Sequence, residues 1–449
     1  MLGMTIKSAA AACGGQILPA DIIDKPLGSV VIDSRAIAPG DLFVAYKGEH
    51  ADGHDYIKTA LSKGAACALA ERVPEGVAGP VIVVDDVQQA LEKITAACRE
   101  NLTLPIIGVT GSVGKTSAKE MLWSVLSRSM NVHKTDKNLN NQIGVPMTVS
   151  RINEWHDAAV IEMGISNFGD MTALAPMVMP HIMVYTIIGH AHLEFLGDLE
   201  GVLRAKTELL PLISPNTLLV LNGDDEYLRK IQAPQRKLYF GLGEDNDIRA
   251  LNIHSPDSES TACTIVYPGG SIDAVIPAFG QHMVYAALSA AAVGLEMGLS
   301  ERDIAAGIAA YHTVGRRAAV SHSAGITLVD DCYNANPDSL KSGIDSLMSL
   351  PGRHVCILGD MLELGDNSPA MHSDCGAYAR EKGVELVIAC GELSRHTAEA
   401  AGERSVFFES REELIKALPE LIQKGDAVLV KASRASRFEE VSEAIKELK

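Results

Sequence analysis

The sequence predicts an α/β protein of three domains: a small α/β domain, a central phosphate-loop domain on a parallel or mixed sheet, and a C-terminal Rossmann-like, doubly wound domain. Three observations predict it. A length of 449 residues exceeds what one core usually holds and points to two to four domains. Short apolar runs that end in glycine or polar residues recur along the chain, many followed by helical periodicity. One of them, in LPIIGVTGSVGKTSAKEMLWSVL, reads as a buried strand, a glycine turn and a helix. The boundaries are placed at 1–103, 104–313 and 314–449.

In the first segment an amphipathic helix is expected near the start, stopped by Gly14-Gly15. Strand-like runs follow at SVVIDSR, DLFVAYKG and PVIVVDDV, with a helix before Gly64. The second segment carries further apolar runs at AAVIEMG, HIMVYTII and TLLVLNGDD, a β-rich patch near 248–277, and an alanine-rich helix from Met283 to Met297. In a parallel sheet ligands gather at the carboxyl ends of the strands, so this segment reads as nucleotide-binding. The third segment repeats strand-then-helix units at ITLVDDCYN, HVCILGDM, ELVIACG, SVFF and AVLVKAS.

Composition excludes several classes. A net charge of −18 and an aromatic content of 4% argue against a nucleic-acid partner, which wants a basic face and stacking rings. None of the eight cysteines forms a Cys-x-x-Cys pair, so they read as small buried hydrophobes rather than a disulfide framework or zinc site. The run Ala10-Ala11-Ala12-Cys13 faintly resembles a lipoprotein cleavage site, but no apolar core of signal-peptide length precedes it. The most apolar stretch, Ala173 to Ile188, is broken by Pro176, Pro180 and His181 and is too short to span a bilayer. A cytoplasmic protein without a membrane span is expected.

The strongest chemical signal is Thr110-Gly111-Ser112-Val113-Gly114-Lys115-Thr116-Ser117 between a strand and a helix. Glycines let backbone amides close around phosphate oxygens, and the helix start adds its dipole. Lys115 would reach the β- and γ-phosphates of ATP, and the Thr116 hydroxyl would ligate Mg2+. Position 109 is valine where the longer phosphate-loop pattern has its first glycine. Glu162 closes a buried strand, where a carboxylate can hold Mg2+ against the triphosphate. His190 and His192 lie just past another strand, followed by Glu194 and Lys206.

Several motifs, in order, resemble one family over nearly the whole chain. The short loop, DSRAIAPGDLFVAYKGEHADGHDYI, NLNNQIGVPMT, EMGISNFGDM, IIGHAHLEFLGDLEGVLRAKTEL and VLNGDD are similar to the Mur ligases. VGRRAAV, VDDCYNANPDSLKSGIDSL and LGDMLELG resemble the branch of that family that adds D-alanyl-D-alanine. The resemblance implies ATP-dependent ligation of D-alanyl-D-alanine to UDP-muramoyl-tripeptide through an acyl phosphate, with two Mg2+ ions. It implies that the first domain holds the UDP end through Ser34 and Arg35, the second ATP and the third the amino substrate. It places Asn140 and Asn141 near substrate or metal, His192 on a second Mg2+, and Lys206 as a lysine carbamylated in several members. Asn222 would lie near the adenine, Arg316 at the γ-phosphate, Asp331 and Tyr333 near ribose and adenine, and Asn334 and Asn336 at the dipeptide or nucleotide pocket. Carbamylation requires a neutral amine, hence a lysine whose pKa is depressed. Two positions depart from the family pattern: Ala286 where an asparagine usually stands, and Ala432 where a glycine does. A monomer is expected. The rival readings are a sister ligase (one adding the third amino acid, or a folylpolyglutamate synthetase), a catalytically silent ATP-binding paralogue, and a phosphate-loop switch or motor.

Overall fold

The computed structural model describes residues 1–48 and 51–448; Glu49 and His50, within the DSR…DGH stretch, lie outside the described residues. Three sheets are formed. The first has five strands, in spatial order Gln16–Leu18, Val81–Val83, Cys67–Ala70, Leu42–Val44 and Val30–Val31. All pair in parallel except Gln16–Leu18. Alternation divides its side chains. Leu42, Val44 and Leu69 pack under the helices Ile6–Cys13 and Val87–Glu100, while Phe43, Ala68 and Ala70 pack under Ile57–Ser62. Because both faces are covered, these strands read as continuous apolar runs. The first helix ends as expected, on Gly14 in the left-handed region.

The middle sheet has nine strands, ordered Gly270–Ile276, Thr261–Tyr267, Ile248–His254, Lys237–Gly241, Leu218–Asn222, Ile182–Tyr185, Ile106–Thr110, Ala158–Glu162 and Val132–Lys134. It is mixed: the β-rich patch folds as an antiparallel extension on one edge of an otherwise parallel sheet. The register sets Val109 beside Glu162 and Thr110 beside Tyr185, with Leu221 beyond Tyr185. The carboxyl ends of four strands therefore converge at one edge. The alanine-rich helix, His282–Glu296, packs with Lys115–Leu126 in one core of this sheet. Gly307 lets a further helix, Glu301–Ala309, approach Lys115–Leu126 so closely that a Cβ there would lie 2.4 Å from the Val125 Cα.

The third sheet orders Ala319–Ser323, Ile326–Asp330, Asp426–Lys431, Arg353–Gly359, Leu386–Cys390 and Ser405–Phe408, parallel except for the first. The expected five strands are present. The sixth, Ala319–Ser323, is half-buried and polar, so its composition does not announce a strand. The apolar stretch 173–188 is divided between the end of the helix Asp170–Val178 and the strand Ile182–Tyr185. Among the described residues no helix is long and apolar enough to cross a membrane.

Candidate active site

The loop after Ile106–Thr110 turns on two glycines that no other residue could replace cheaply. Gly111 has φ +145° and a Cβ there would stand 1.9 Å from Thr186 Oγ1; Gly114 has φ +83° and starts the helix. The loop is fastened to the neighbouring segment 186–189. Ser112 N–H donates to the Ile187 carbonyl (2.8 Å), Ser112 Oγ donates to the Gly189 carbonyl and accepts from Gly189 N–H (both 2.9 Å), and Thr186 Oγ1 donates to the Val113 carbonyl. Thr110 is tied to the Met163 carbonyl through its hydroxyl (2.8 Å). Lys115 Nζ lies across the loop, donating to the carbonyls of Gly111 (2.7 Å) and Ser112 (3.2 Å). Desolvation lowers its pKa; the Glu162 charge opposes this and the Arg317 charge adds to it. Ser117, half-buried, faces Tyr311.

Glu162 is the hub. Thr116 Oγ1 donates to it (3.0 Å) and Asn140 Nδ2 donates to it (2.8 Å), while its own backbone N–H is held by Thr135 Oγ1 (3.0 Å). A fourth group was not foreseen. Lys119 is fully buried, donates to the Thr135 carbonyl (2.8 Å), and lies 3.6 Å from Glu162 Oε2 and 3.1 Å from Glu120 Oε1. Its signal was in the sequence, four residues and one helical turn after Lys115. Asn141 behaves differently from Asn140: its side chain accepts from Gly144 N–H (2.9 Å) and Ile143 N–H (3.2 Å) and shapes the turn.

Lys206, on the helix Leu199–Thr207, is 1% exposed and forms no ion pair among the described residues. Burial first, and then the Lys115 charge, push its pKa well below the usual lysine value. His192 has φ +58° at the start of a short helical turn. Its Nδ1 faces Glu363 Oε2 of the third domain at 2.6 Å, and that bond keeps Glu363 below the usual carboxylate range despite partial burial. His190 meets a second third-domain carboxylate, Asp338, through both its backbone N–H (2.6 Å) and its ring (3.0 Å). Glu363 and Asp338 sit inside the quoted third-segment motifs, but nothing local marks them as partners of a loop far away in the chain. Asn222 spends its amide on the Thr186 carbonyl (2.9 Å) and on Asp224 N–H (3.1 Å), bracing the same segment.

In the third domain Arg316 is ion-paired with Asp330 and, at 2.6 Å, with Glu443. The adjacent Arg317 lies over the Tyr333 ring, 3.6 Å from its centroid, with Arg434 at 4.9 Å. Asp331 accepts from Ala318 N–H (3.1 Å) and pairs with the buried Lys431, which also donates to the Asn334 carbonyl (3.1 Å). Asn334 itself is exposed. Asn336 caps the helix Pro337–Leu347, accepting from Ser339 N–H at 2.8 Å. In the first domain Ser34 is buried and gives its carbonyl to Lys63 Nζ (3.0 Å), whereas Arg35 is exposed and forks onto Asp33, holding that carboxyl at about 2. Ala286 is buried in its helix. Ala432 has no positive φ, and its methyl faces Gly359, so alanine fits where a glycine was expected.

The geometry joins a phosphate-type loop, an acidic hub and a third-domain face. Comparison with known proteins finds one family along most of the chain. Family models match in order: the Mur ligase family catalytic domain at 27–103, the Mur ligase middle domain at 109–294, and the Mur ligase glutamate ligase domain at 315–434. The chain is 35% identical to UDP-N-acetylmuramoyl-tripeptide--D-alanyl-D-alanine ligase of Bacillus subtilis over 98% of both chains. The chain belongs to the Mur ligase family. Among solved Mur ligases it superposes on a crystal structure of MurF from Acinetobacter baumannii with a TM-score of 0.92 at 30% identity, covering 99% of this chain and 98% of that one. MurF ligase from Thermotoga maritima, solved in complex with ADP, gives 0.83 at 29% identity over 94% and 97%.

Proposed function

We propose that this Mur ligase joins D-alanyl-D-alanine to UDP-N-acetylmuramoyl-tripeptide, with ATP converted to ADP and phosphate. The observation that carries the reading is a contact: the third-domain stretch that resembles the D-alanyl-D-alanine-adding branch, Asp330–Ser339, lies against the segment that braces the phosphate loop. A carboxylate is a poor electrophile. The tripeptide carboxylate therefore attacks the γ-phosphorus of ATP, giving an acyl phosphate and ADP. The dipeptide amine then attacks the acyl carbon and loses a proton as phosphate leaves. In this reading the backbone amides of Gly111, Val113, Gly114 and Lys115 and the Lys115 amine hold the phosphates, with Thr110, Ser112 and Ser117 keeping the loop in shape. Thr116, Glu162 and Asn140 would hold one Mg2+, since hydroxyl, carboxylate and amide oxygens suit a hard cation. His192 and Lys206 would hold the second, provided that Lys206 is a carbamate; an amine alone is a poor ligand for such an ion. Bound Mg2+ supplies the charge that lets two anions approach. Burial favours the neutral form of the Lys206 amine, the form that can attack CO2, forming an N–C bond and releasing a proton. Glu363 sets which His192 nitrogen is free.

For the nucleotide, Asn222, Asp331, Tyr333 and the third-domain arginines form the face. Arg316 acts on the γ-phosphate only if it exchanges its carboxylate partners for it, whereas the Arg317 charge already reaches Lys115. Ser34 and Arg35 serve the UDP end. Asn141, Asn334 and Asn336 serve the substrate pocket mainly through the backbone turns and helix start that they shape. In this reading an enzyme using ATP and a nucleotide-sugar works in the cytoplasm, and the chain acts as a monomer. The test is phosphate release from ATP with UDP-muramoyl-tripeptide, with and without D-alanyl-D-alanine, checking the pentapeptide by mass. Release that needs both substrates and stops on chelation of Mg2+ is expected. ATP binding without turnover, unchanged in Lys115→Ala, would make the chain a silent paralogue.

A further inference from the structure

We infer that Asp338 is a positioning residue that seats the third domain on the phosphate loop. It lies in the first turn of Pro337–Leu347, a helix whose start is set by the Asn336 cap. Its carboxylate accepts the His190 backbone N–H at 2.6 Å and faces the His190 ring at 3.0 Å, a contact across 148 residues of chain. The residue before His190 is Gly189, whose N–H and carbonyl are both bound to Ser112 Oγ at 2.9 Å. A single short path of hydrogen bonds thus runs from Asp338 through His190 and Gly189 to Ser112 inside the loop. The approach is close enough to demand glycine: a Cβ on Gly189 would stand 2.5 Å from Asp338 Oδ2, although the Gly189 backbone is not in the left-handed region. Alanine at 189 is therefore acceptable to the backbone and excluded only by the Asp338 carboxylate. Among the described residues Asp338 makes no hydrogen bond to the loop itself; it acts by holding the segment to which the loop is fastened. Without the Asp338 carboxylate Ser112 loses the anchor of its anchor, so the seating of the third domain and the geometry of the loop are linked.

The kinetic arm of the test rests on the ligase reading above; the exchange arm does not. Asp338→Ala is expected to lower kcat at least tenfold, with the KM for UDP-muramoyl-tripeptide within twofold of wild type. Asp338→Asn keeps an oxygen for the His190 N–H and is expected to recover activity to within threefold of wild type. Gly189→Ala should match the Asp338→Ala loss, and the double variant should be no worse than either single one, because the clash needs the carboxylate. Asp345→Asn, on the same helix and paired with Lys382, is the control and should leave kcat unchanged. In hydrogen exchange without substrates, the His190 amide should exchange at least tenfold faster in Asp338→Ala than in wild type or Asp345→Asn. The inference is overturned if His190 protection is the same in Asp338→Ala and wild type, or if the Gly189→Ala and Asp338→Ala losses multiply. If wild-type protein fails to ligate the dipeptide, the ligase reading falls and the exchange result alone decides this one.

Discussion

Lys206 shows how a single residue can cost stability and still be kept. Lys206 is buried and makes no ion pair among the described residues, so the fold disfavours its charged form while the unfolded chain protonates it below the reference value of 10.5. Protons then bind the unfolded state preferentially, and stability rises with pH up to 10.5. In CO2-free buffer Lys206→Met should remove that slope, raise the melting temperature at neutral pH by about 2–4 °C, and abolish ligation. A scanning calorimeter and the phosphate assay check both; unchanged melting would mean that the amine finds a partner in solution. With CO2 present, native mass spectrometry should show the wild type, but not Lys206→Met, heavier by one CO2. Lys115 is shifted in the same direction, but its amine donates to two loop carbonyls and the Glu162 charge opposes the shift, so its structural cost is smaller. Lys115→Met should lower kcat about 10²–10³-fold, the usual loss for one charge-stabilising donor, with a smaller change in melting than Lys206→Met.

Elements matter here for where they end. Three strand ends and one strand-to-helix loop bring Thr116, Glu162, Asn222 and the 186–192 segment to one edge, and Gly111 makes the loop possible. Gly111→Ala meets both a forbidden φ and the Thr186 hydroxyl, so it should cost about 1–3 kcal/mol of strain and abolish nucleotide binding, read by calorimetric titration with ADP. In the first domain the Asp-Gly-His motif turns out to be a structural pin. His54 is buried, its Nδ1 faces Asp52 Oδ1 (2.6 Å), and its Nε2 accepts from Glu71 N–H (3.1 Å). His54→Ala would strand that N–H and should cost about 1–3 kcal/mol in urea unfolding. Strands rich in Val, Ile and Leu were legible because burial on both faces writes an apolar run, whereas Cys67–Ala70, at the centre of the first sheet, and Lys237–Gly241, inside the middle one, were not read from the sequence. The half-buried Ala319–Ser323 and the short edge strand Val132–Lys134 were not, because an edge strand owes its form to one neighbour rather than to its own composition.

At the scale of the molecule, three domains are held in a reduced, thiol-quiet fold. Seven of the eight cysteines are buried and Cys13 is half-buried. Burial pushes Cys67, Cys332 and Cys375 up to about 12, and Cys263 and Cys390 up to about 11. A thiol reagent at neutral pH should therefore find at most one slowly reacting group in the native protein and eight after denaturation. More than one fast group would show that a domain opens. The domains join through side chains as well as linkers. Val30 N–H donates to Ser150 Oγ (2.9 Å) between the first two, and His190–Asp338 with His192–Glu363 link the last two.

What the sequence determined by itself is everything that rests on near neighbours. The glycine loop and its helix, the apolar strand runs, the glycine that ends the first helix and the ordered family motifs all follow from local patterns that tertiary packing had no reason to override. Tertiary structure alone decided which motif residues face one another. It gave Asn140 to Glu162 and Asn141 to a turn, turned Arg316 onto Asp330 and Glu443 while laying Arg317 over Tyr333, buried Lys206 with no ion pair among the described residues, and brought Asp338 and Glu363 to His190 and His192 of the middle domain. The physical reason is range. Backbone conformation is set by residues one to four apart, whereas the environment of a charge is set by whatever the packing of whole domains places around it.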